Sequence, residues 1–149
     1  MKLILASTSS YRKALLERLQ LDFQCDSPDI DEKPITGESV ENMVVRLAKN
    51  KAEAVAPNHP DALVIGSDQG AVLDGEILTK SGHFGNAVKQ LQKASGKRIT
   101  FYTGLCLLNT HSGNVQTACV PYTCLLYTSD AADDWLVGVL WVGGGELYR

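Results

Sequence analysis

Leu3-Ile4-Leu5-Ala6-Ser7-Thr8-Ser9-Ser10-Tyr11-Arg12-Lys13-Ala14-Leu15-Leu16 decides the reading of this chain. Leu3 to Ala6 is a short apolar run of the length of a buried strand. It gives way abruptly to hydroxyl residues, and Leu15, Leu16 and Leu19 then fall on one face of a helix. Hydroxyl side chains just ahead of a periodic apolar segment are an N-cap signal. The stretch therefore reads as strand, tight polar turn and helix N-terminus, with Arg12 in the first helical turn. Unpaired N–H groups and the positive end of the helix dipole suit an anion there, and Arg12 adds a fork matched to phosphate. A capped helix with a solvated Arg-Lys pair is the plainer reading.

Moving outward, Phe23 to Ser27 reads as a short strand and Pro28 to Pro34 as an acidic loop carrying Asp29, Asp31 and Glu32. Ser39 to Ala56 reads as the longest helix, with Val40, Met43, Val44, Leu47, Ala48 and Lys51 at three-four spacing and Pro57 closing it. Lys51 thus belongs to the buried stripe, where it either snorkels out or points its ammonium into a cleft. Leu63 to Ser67 is continuously apolar, an interior strand, with Asp68 and Gln69 expected at its C-terminal end, where ligands of open α/β sheets bind. Asp68 could equally be a turn or cap residue.

Asp74-Gly75 between apolar residues predicts a type I′ hairpin. His83 to Ala94 reads as an amphipathic helix ended by Gly96. Arg98 to Asn109 and Val115 to Thr123 read as strands joined by a turn at Ser112-Gly113-Asn114, with Gly104 marking a bulge.

A length of 149 residues, 44% hydrophobic and 21% charged, fits one globular domain. No apolar run approaches the ~20 residues of a membrane span, and Ser7 to Arg12 interrupt any signal peptide. The four cysteines show no CxxC pairing and no zinc spacing to the histidines, so free thiols and a cytoplasmic location are expected. Residues 1–123 carry Lys+Arg and Asp+Glu in equal number, and the whole net charge of −3 comes from the remaining residues. Nothing holds a nucleic-acid backbone by charge, whereas a small anionic ligand in one pocket is compatible with that balance. Neither GxxxxGK[ST] nor GxGxxG occurs.

The opening segment, residues 3 to 16, together with Arg46-Leu47-Ala48-x-x-Lys51-Ala52, Gly66-Ser67-Asp68-Gln69 and the Lys80 region, resembles the Maf family of nucleotide pyrophosphatases. The likeness runs to about residue 122. It implies an ITPase-like α/β fold, a twisted mixed sheet flanked by helices with a cleft at the strand ends. It also implies hydrolysis of a nucleoside triphosphate to a monophosphate and diphosphate. Ser7, Arg12, Lys51 and Lys80 would meet the phosphates, and Asp68 would accept a proton from water. Glu32 and Asp68 would hold a divalent cation, Mg²⁺ or Mn²⁺. Tyr11 with Gln69 resembles the 7-methyl-GTP subfamily; an aromatic face attracts the positively charged methylated base. Around Lys80 the family pattern Gly-Lys-Pro is replaced by Thr79-Lys80-Ser81-Gly82, and Gly70-Ala71 stands where larger apolar residues are usual. The expected partner is a small nucleotide, with no nucleic acid polymer and no membrane; a homodimer is left open.

From Cys124 onward the sequence changes character, with both tryptophans and a triple glycine near the end. Cys124 to Asp133 resembles the in-frame translation of a sequencing-library adapter. The expectation is that residues 1–123 are the N-terminal part of a Maf-like domain whose second half is incomplete, and that 124–149 are not native. Two other functions stay open. One is a same-family pyrophosphatase for dTTP or UTP, which an Arg at position 11 would have favoured. The other is a non-catalytic nucleotide-binding or division-linked regulatory protein.

Overall fold

The computed structural model describes residues 1–78 and 96–125. Its order is β1 (Lys2–Ala6), α1 (Ser10–Glu17), β2 (Gln24–Asp26), α2 (Val40–Val55), a 3₁₀ turn (Ala56–Asn58), β3 (Ala62–Leu73), β4 (Glu76–Leu78), β5 (Arg98–Asn109) and β6 (Val115–Leu125). The strands form one mixed sheet ordered β2-β1-β3-β5-β6, with β4 hairpinned onto β3. β1 pairs in parallel with both β2 and β3, whereas β5 is antiparallel to β3 and to β6. This is the α/β class the sequence implies.

Local chemistry explains the boundaries. Ser9 caps α1 by accepting from the Arg12 backbone N–H, and Ser39 caps α2 by accepting from the Asn42 N–H. Pro57 sits in the 3₁₀ turn that ends α2. Asp74 and Gly75 adopt φ 51° and 83°, the two left-handed residues that a type I′ turn demands.

Helix α2 lies across one face of the sheet. Its inner stripe, from Val40 to Val55, is buried against Ile4, Ala6, Val64, Cys106 and their neighbours on β1, β3 and β5. Full burial of a side chain such as Val44 or Val64 contributes about 1.5–3 kcal/mol. Two strand glycines set how close the helix comes. A Cβ on Gly66 would fall on the Ala48 carbonyl, and one on Gly104 would fall on the Val44 carbonyl.

This corrects the bulge expected at Gly104. The β3/β5/β6 register passes through Asp68, Gly104 and Cys119 without interruption. The missing side chain instead makes room for helix backbone.

A second correction concerns β3. It does not end at Ser67: it continues to Leu73 and includes Ala71 to Leu73, so Asp68 and Gln69 stand in mid-strand. The parallel partner β1 ends opposite Gly66, but β5 supplies an antiparallel ladder from Leu63 to Leu73, and that ladder carries the strand through its polar centre.

β6 is an edge strand among the described residues, as β2 is at the other side, and it is largely exposed, which lets it accommodate Pro121. Its pairing runs past the boundary expected at Thr123, to Leu125 opposite Arg98. Lys80, the helix expected over 83–94 and nearly all of the C-terminal segment lie outside the described residues. Among the described residues, no helix is long and apolar enough to cross a membrane. Cys25, Cys106, Cys119 and Cys124 are free thiols.

Candidate active site

Ser67, Asp68 and Gln69 are consecutive on β3, so the pleat sends the middle side chain to one face and its neighbours to the other. Asp68 shares the α2 face with Gly66. There it meets Lys51, which the helix stripe delivers from above. Lys51 Nζ lies 2.7 Å from Asp68 Oδ1 and 2.7 Å from Glu32 Oε1. The Lys51 and Asp68 side chains are only 6% and 11% exposed, so the ammonium keeps two converging carboxylates together in a poorly solvated setting. Lys51 does not snorkel out to solvent: its ammonium is held between the two carboxylates.

Glu32 arrives on the acidic loop, and Arg46 fixes that loop. Its Nε and Nη2 donate to the two Glu38 carboxylate oxygens at 2.7 and 2.8 Å, and Nη2 also donates to the Lys33 carbonyl at 3.3 Å. Hydrogen bonding to Arg46 holds the Glu38 carboxyl below its usual range and pushes the Arg46 guanidinium up. Lys33, the residue beside Glu32, is thus tied to α2 by its carbonyl, while the two-pronged ion pair ties down Glu38 at the far end of the loop.

Arg12 stands at the start of α1, where its field reaches both Asp68 and Glu32. Burial pushes its guanidinium below the ordinary range, while those two carboxylates pull it up. Its Nη2 is buried and lacks a hydrogen-bond partner among the described residues. A buried cationic donor without an acceptor is costly unless an anion completes it. Ser7, also buried, turns its hydroxyl toward the backbone and accepts from the Ser9 N–H at 3.1 Å.

The opposite face of β3 borders a cavity of about 350 Å³ beneath α1. Leu5, Ile65 and Leu105 contribute to its apolar lining, while Tyr11, Arg12 and Gln69 bring polar atoms. Tyr11 is 49% exposed. Gln69 Nε2 donates to Thr103 Oγ1 at 3.1 Å across the β3/β5 ladder.

The structure thus brings Lys51, Asp68 and Glu32 into contact, sets Arg12 alongside, and puts Tyr11 and Gln69 on the adjoining cavity. Sequence reasoning gave no role to Arg46 or Thr103. Arg46 lay inside a quoted segment, but its use depends on a loop conformation. Thr103 becomes visible only once strand register is known. Among the described residues, no group of three or more His, Cys, Asp or Glu side chains is arranged to hold a metal ion. Glu32 and Asp68 together offer a pair of hard carboxylate donors. That suits a divalent cation which draws its remaining ligands from phosphates and water.

A family model described as Maf-like protein matches residues 2–133. The chain belongs to the Maf-like family. Among curated proteins, this Maf-like chain is similar to the 7-methyl-GTP pyrophosphatase of Pseudomonas aeruginosa, 58% identical over 121 residues that cover 81% of the chain and 63% of that protein. It is also similar to the 7-methyl-GTP pyrophosphatase of Pseudomonas syringae pv. tomato, 53% identical over 130 residues, 87% of the chain and 68% of that protein. The Maf-like chain therefore spans about two thirds of the length of these relatives. Among solved structures, a nucleoside-triphosphatase / dITP/XTP pyrophosphatase from Mycobacterium abscessus shares the fold, with a TM-score of 0.51 at 20% identity over 83% of this chain and 73% of that one.

Proposed function

We propose that this chain carries the catalytic centre of a nucleoside-triphosphate pyrophosphatase acting on 7-methyl-GTP. The observation that carries the reading is Lys51 held between Asp68 and Glu32, with Arg12 Nη2, buried and without a hydrogen-bond partner among the described residues, in the same field. Water adds to the α-phosphorus, the bond from that phosphorus to the bridging oxygen of the β-phosphate breaks, and 7-methyl-GMP and diphosphate leave. Asp68 accepts the proton that the attacking water loses. Arg12, Lys51 and, by resemblance, Lys80 and Ser7 meet the charge that grows on the leaving diphosphate. Glu32 and Asp68 would hold a Mg²⁺ or Mn²⁺ ion, which neutralises phosphate charge when bound. Tyr11 and the Gln69 wall of the cavity receive the base, and the relatives named 7-methyl-GTP pyrophosphatase support that choice.

The test is diphosphate release from 7-methyl-GTP, GTP, dTTP and UTP with Mg²⁺. Selective turnover of 7-methyl-GTP is expected, and Asp68→Asn should lower it by about 10²–10⁴-fold with an unchanged circular dichroism spectrum. Preferred turnover of dTTP or UTP would move the assignment to that sister activity. Failure to release diphosphate from any of the four would overturn the enzymatic reading.

A further inference from the structure

Resting on that reading, we infer that the Lys51–Glu32 contact is an autoinhibitory ion pair. The ammonium claims the carboxylates that a divalent cation needs, and Glu32 turns to the cation only when a polyphosphate supplies opposing charge. Lys51 Nζ lies 2.7 Å from Asp68 Oδ1 and 2.7 Å from Glu32 Oε1, so one ammonium engages both hard donors at once. The two contacts are unequal. Asp68 is fixed in mid-strand with its side chain 11% exposed, whereas Glu32 rides on a loop with its side chain 44% exposed. Partial solvation makes Glu32 the cheaper carboxylate to part from the ammonium. The Asp68 contact is permanent, and the Glu32 contact is the one that yields.

Charge decides when it yields. The field of Arg12 also reaches Asp68 and Glu32, so Arg12 and Lys51 face two carboxylates and the charges balance among the described residues. Arg46, whose field touches Asp68, is matched by Glu38. A divalent cation arriving alone leaves this cluster with uncompensated positive charge and stands beside the ammonium, where poor solvation keeps like-charge repulsion strong. A nucleoside triphosphate brings more negative charge than the cation brings positive, so the two enter together. Chelation of the cation by phosphates predicts joint uptake whatever stands at position 51. Only a blocking ammonium predicts that the nucleotide-free protein gains metal affinity when Lys51 is removed.

The experiment counts bound Mn²⁺ by electron paramagnetic resonance in the full chain without nucleotide. The proteins compared are the unsubstituted chain, Lys51→Met, and the double variant Lys51→Met with Glu32→Gln. Lys51→Met should bind Mn²⁺ about tenfold more tightly than the unsubstituted chain, and the added Glu32→Gln should abolish that gain. Equal or weaker binding by Lys51→Met would mean that the ammonium assembles the carboxylates instead of blocking them. That overturns the autoinhibitory role, while diphosphate release by the unsubstituted chain remains the separate measure of the pyrophosphatase reading. A gain that survives Glu32→Gln arises elsewhere and overturns it too. If Lys51→Met is unfolded by circular dichroism, saturating Mn²⁺ should restore the folded spectrum, because the cation replaces the missing charge; a spectrum that stays unfolded counts against the inference.

Discussion

The two faces of β3 differ more than their shared backbone suggests. On the α2 face, Gly66 meets the helix backbone, Gly70 meets the Val40, Met43 and Val44 side chains, and between them the Asp68 charge is closed through Lys51. On the α1 face, Ile65, Ser67 and Gln69 border a cavity whose lining includes half-exposed leucines and the rim residue Tyr11. One residue of offset along the strand thus separates a rigid charge centre from an open recognition surface. Substitutions on the first face should act on stability and reaction together, whereas those on the second should act on ligand choice while the fold persists.

The strongest break in that contrast is Gly104→Val. Its Cβ would occupy the position of the Val44 carbonyl, and a helix backbone cannot yield as a side-chain tip can. A loss upward of about 3 kcal/mol is expected, read as a collapsed urea midpoint. Lys51→Met comes next, because it leaves Asp68 and the partly buried Glu32 facing each other without their cation. Removing one partner of a buried ion pair costs about 3–5 kcal/mol, and denaturant unfolding with an accompanying loss of diphosphate release would register it.

Tyr11→Ala sharpens the other side. Tyr11 is half exposed at the cavity rim, where a cation–π contact contributes about 0.5–1 kcal/mol. Preference for 7-methyl-GMP over GMP should fall about two- to fivefold at an unchanged midpoint.

The smallest effect concerns pH. The His59 hydrogen bond, at 2.8 Å, holds the Asp26 carboxyl below its usual range, as Arg46 does for Glu38. A carboxylate depressed in the folded state stabilises above its unfolded pKa of about 4, and that contribution drains away as the pH falls through the folded value. His59→Ala should therefore lower the neutral plateau of a midpoint-versus-pH curve slightly and leave the acid end below about pH 4 unchanged, so that the acid limb becomes shallower.

What the sequence disclosed follows from how local each signal is. The turn from Ala6 into α1, the Ser39 cap, the Pro57 stop and the Asp74-Gly75 hairpin each depend on a few adjacent residues, and each matched its element within a residue or two. Lys51 was legible as a member of the buried stripe because helical spacing alone put it there. The extension of β3 through Ser67-Asp68-Gln69-Gly70 was not legible. These residues lack the apolar continuity of an interior strand, and the ladder that sustains them comes from β5, more than thirty residues later. Gly104 signalled an anomaly, but whether a bulge or a helix explains it depends on what packs above. Thr103 and Arg46 acquire meaning only through partners distant in the chain, Gln69 across the sheet and the Lys33–Glu38 loop.

The glycine seat beneath α2 has a consequence for motion. With the Ala48 and Val44 carbonyls resting where side chains would otherwise stand, the helix has no soft layer on which to slide across β3 and β5. The Lys51–Asp68 pair is then a fixed datum against which a substrate is measured. Adjustment during a catalytic cycle falls to the parts hung around it, the loop that bears Glu32 and the short helix that bears Arg12. Their amides should exchange with solvent sooner than those of α2 and β3, so the working clearance of the site is set by its periphery while its centre stays still.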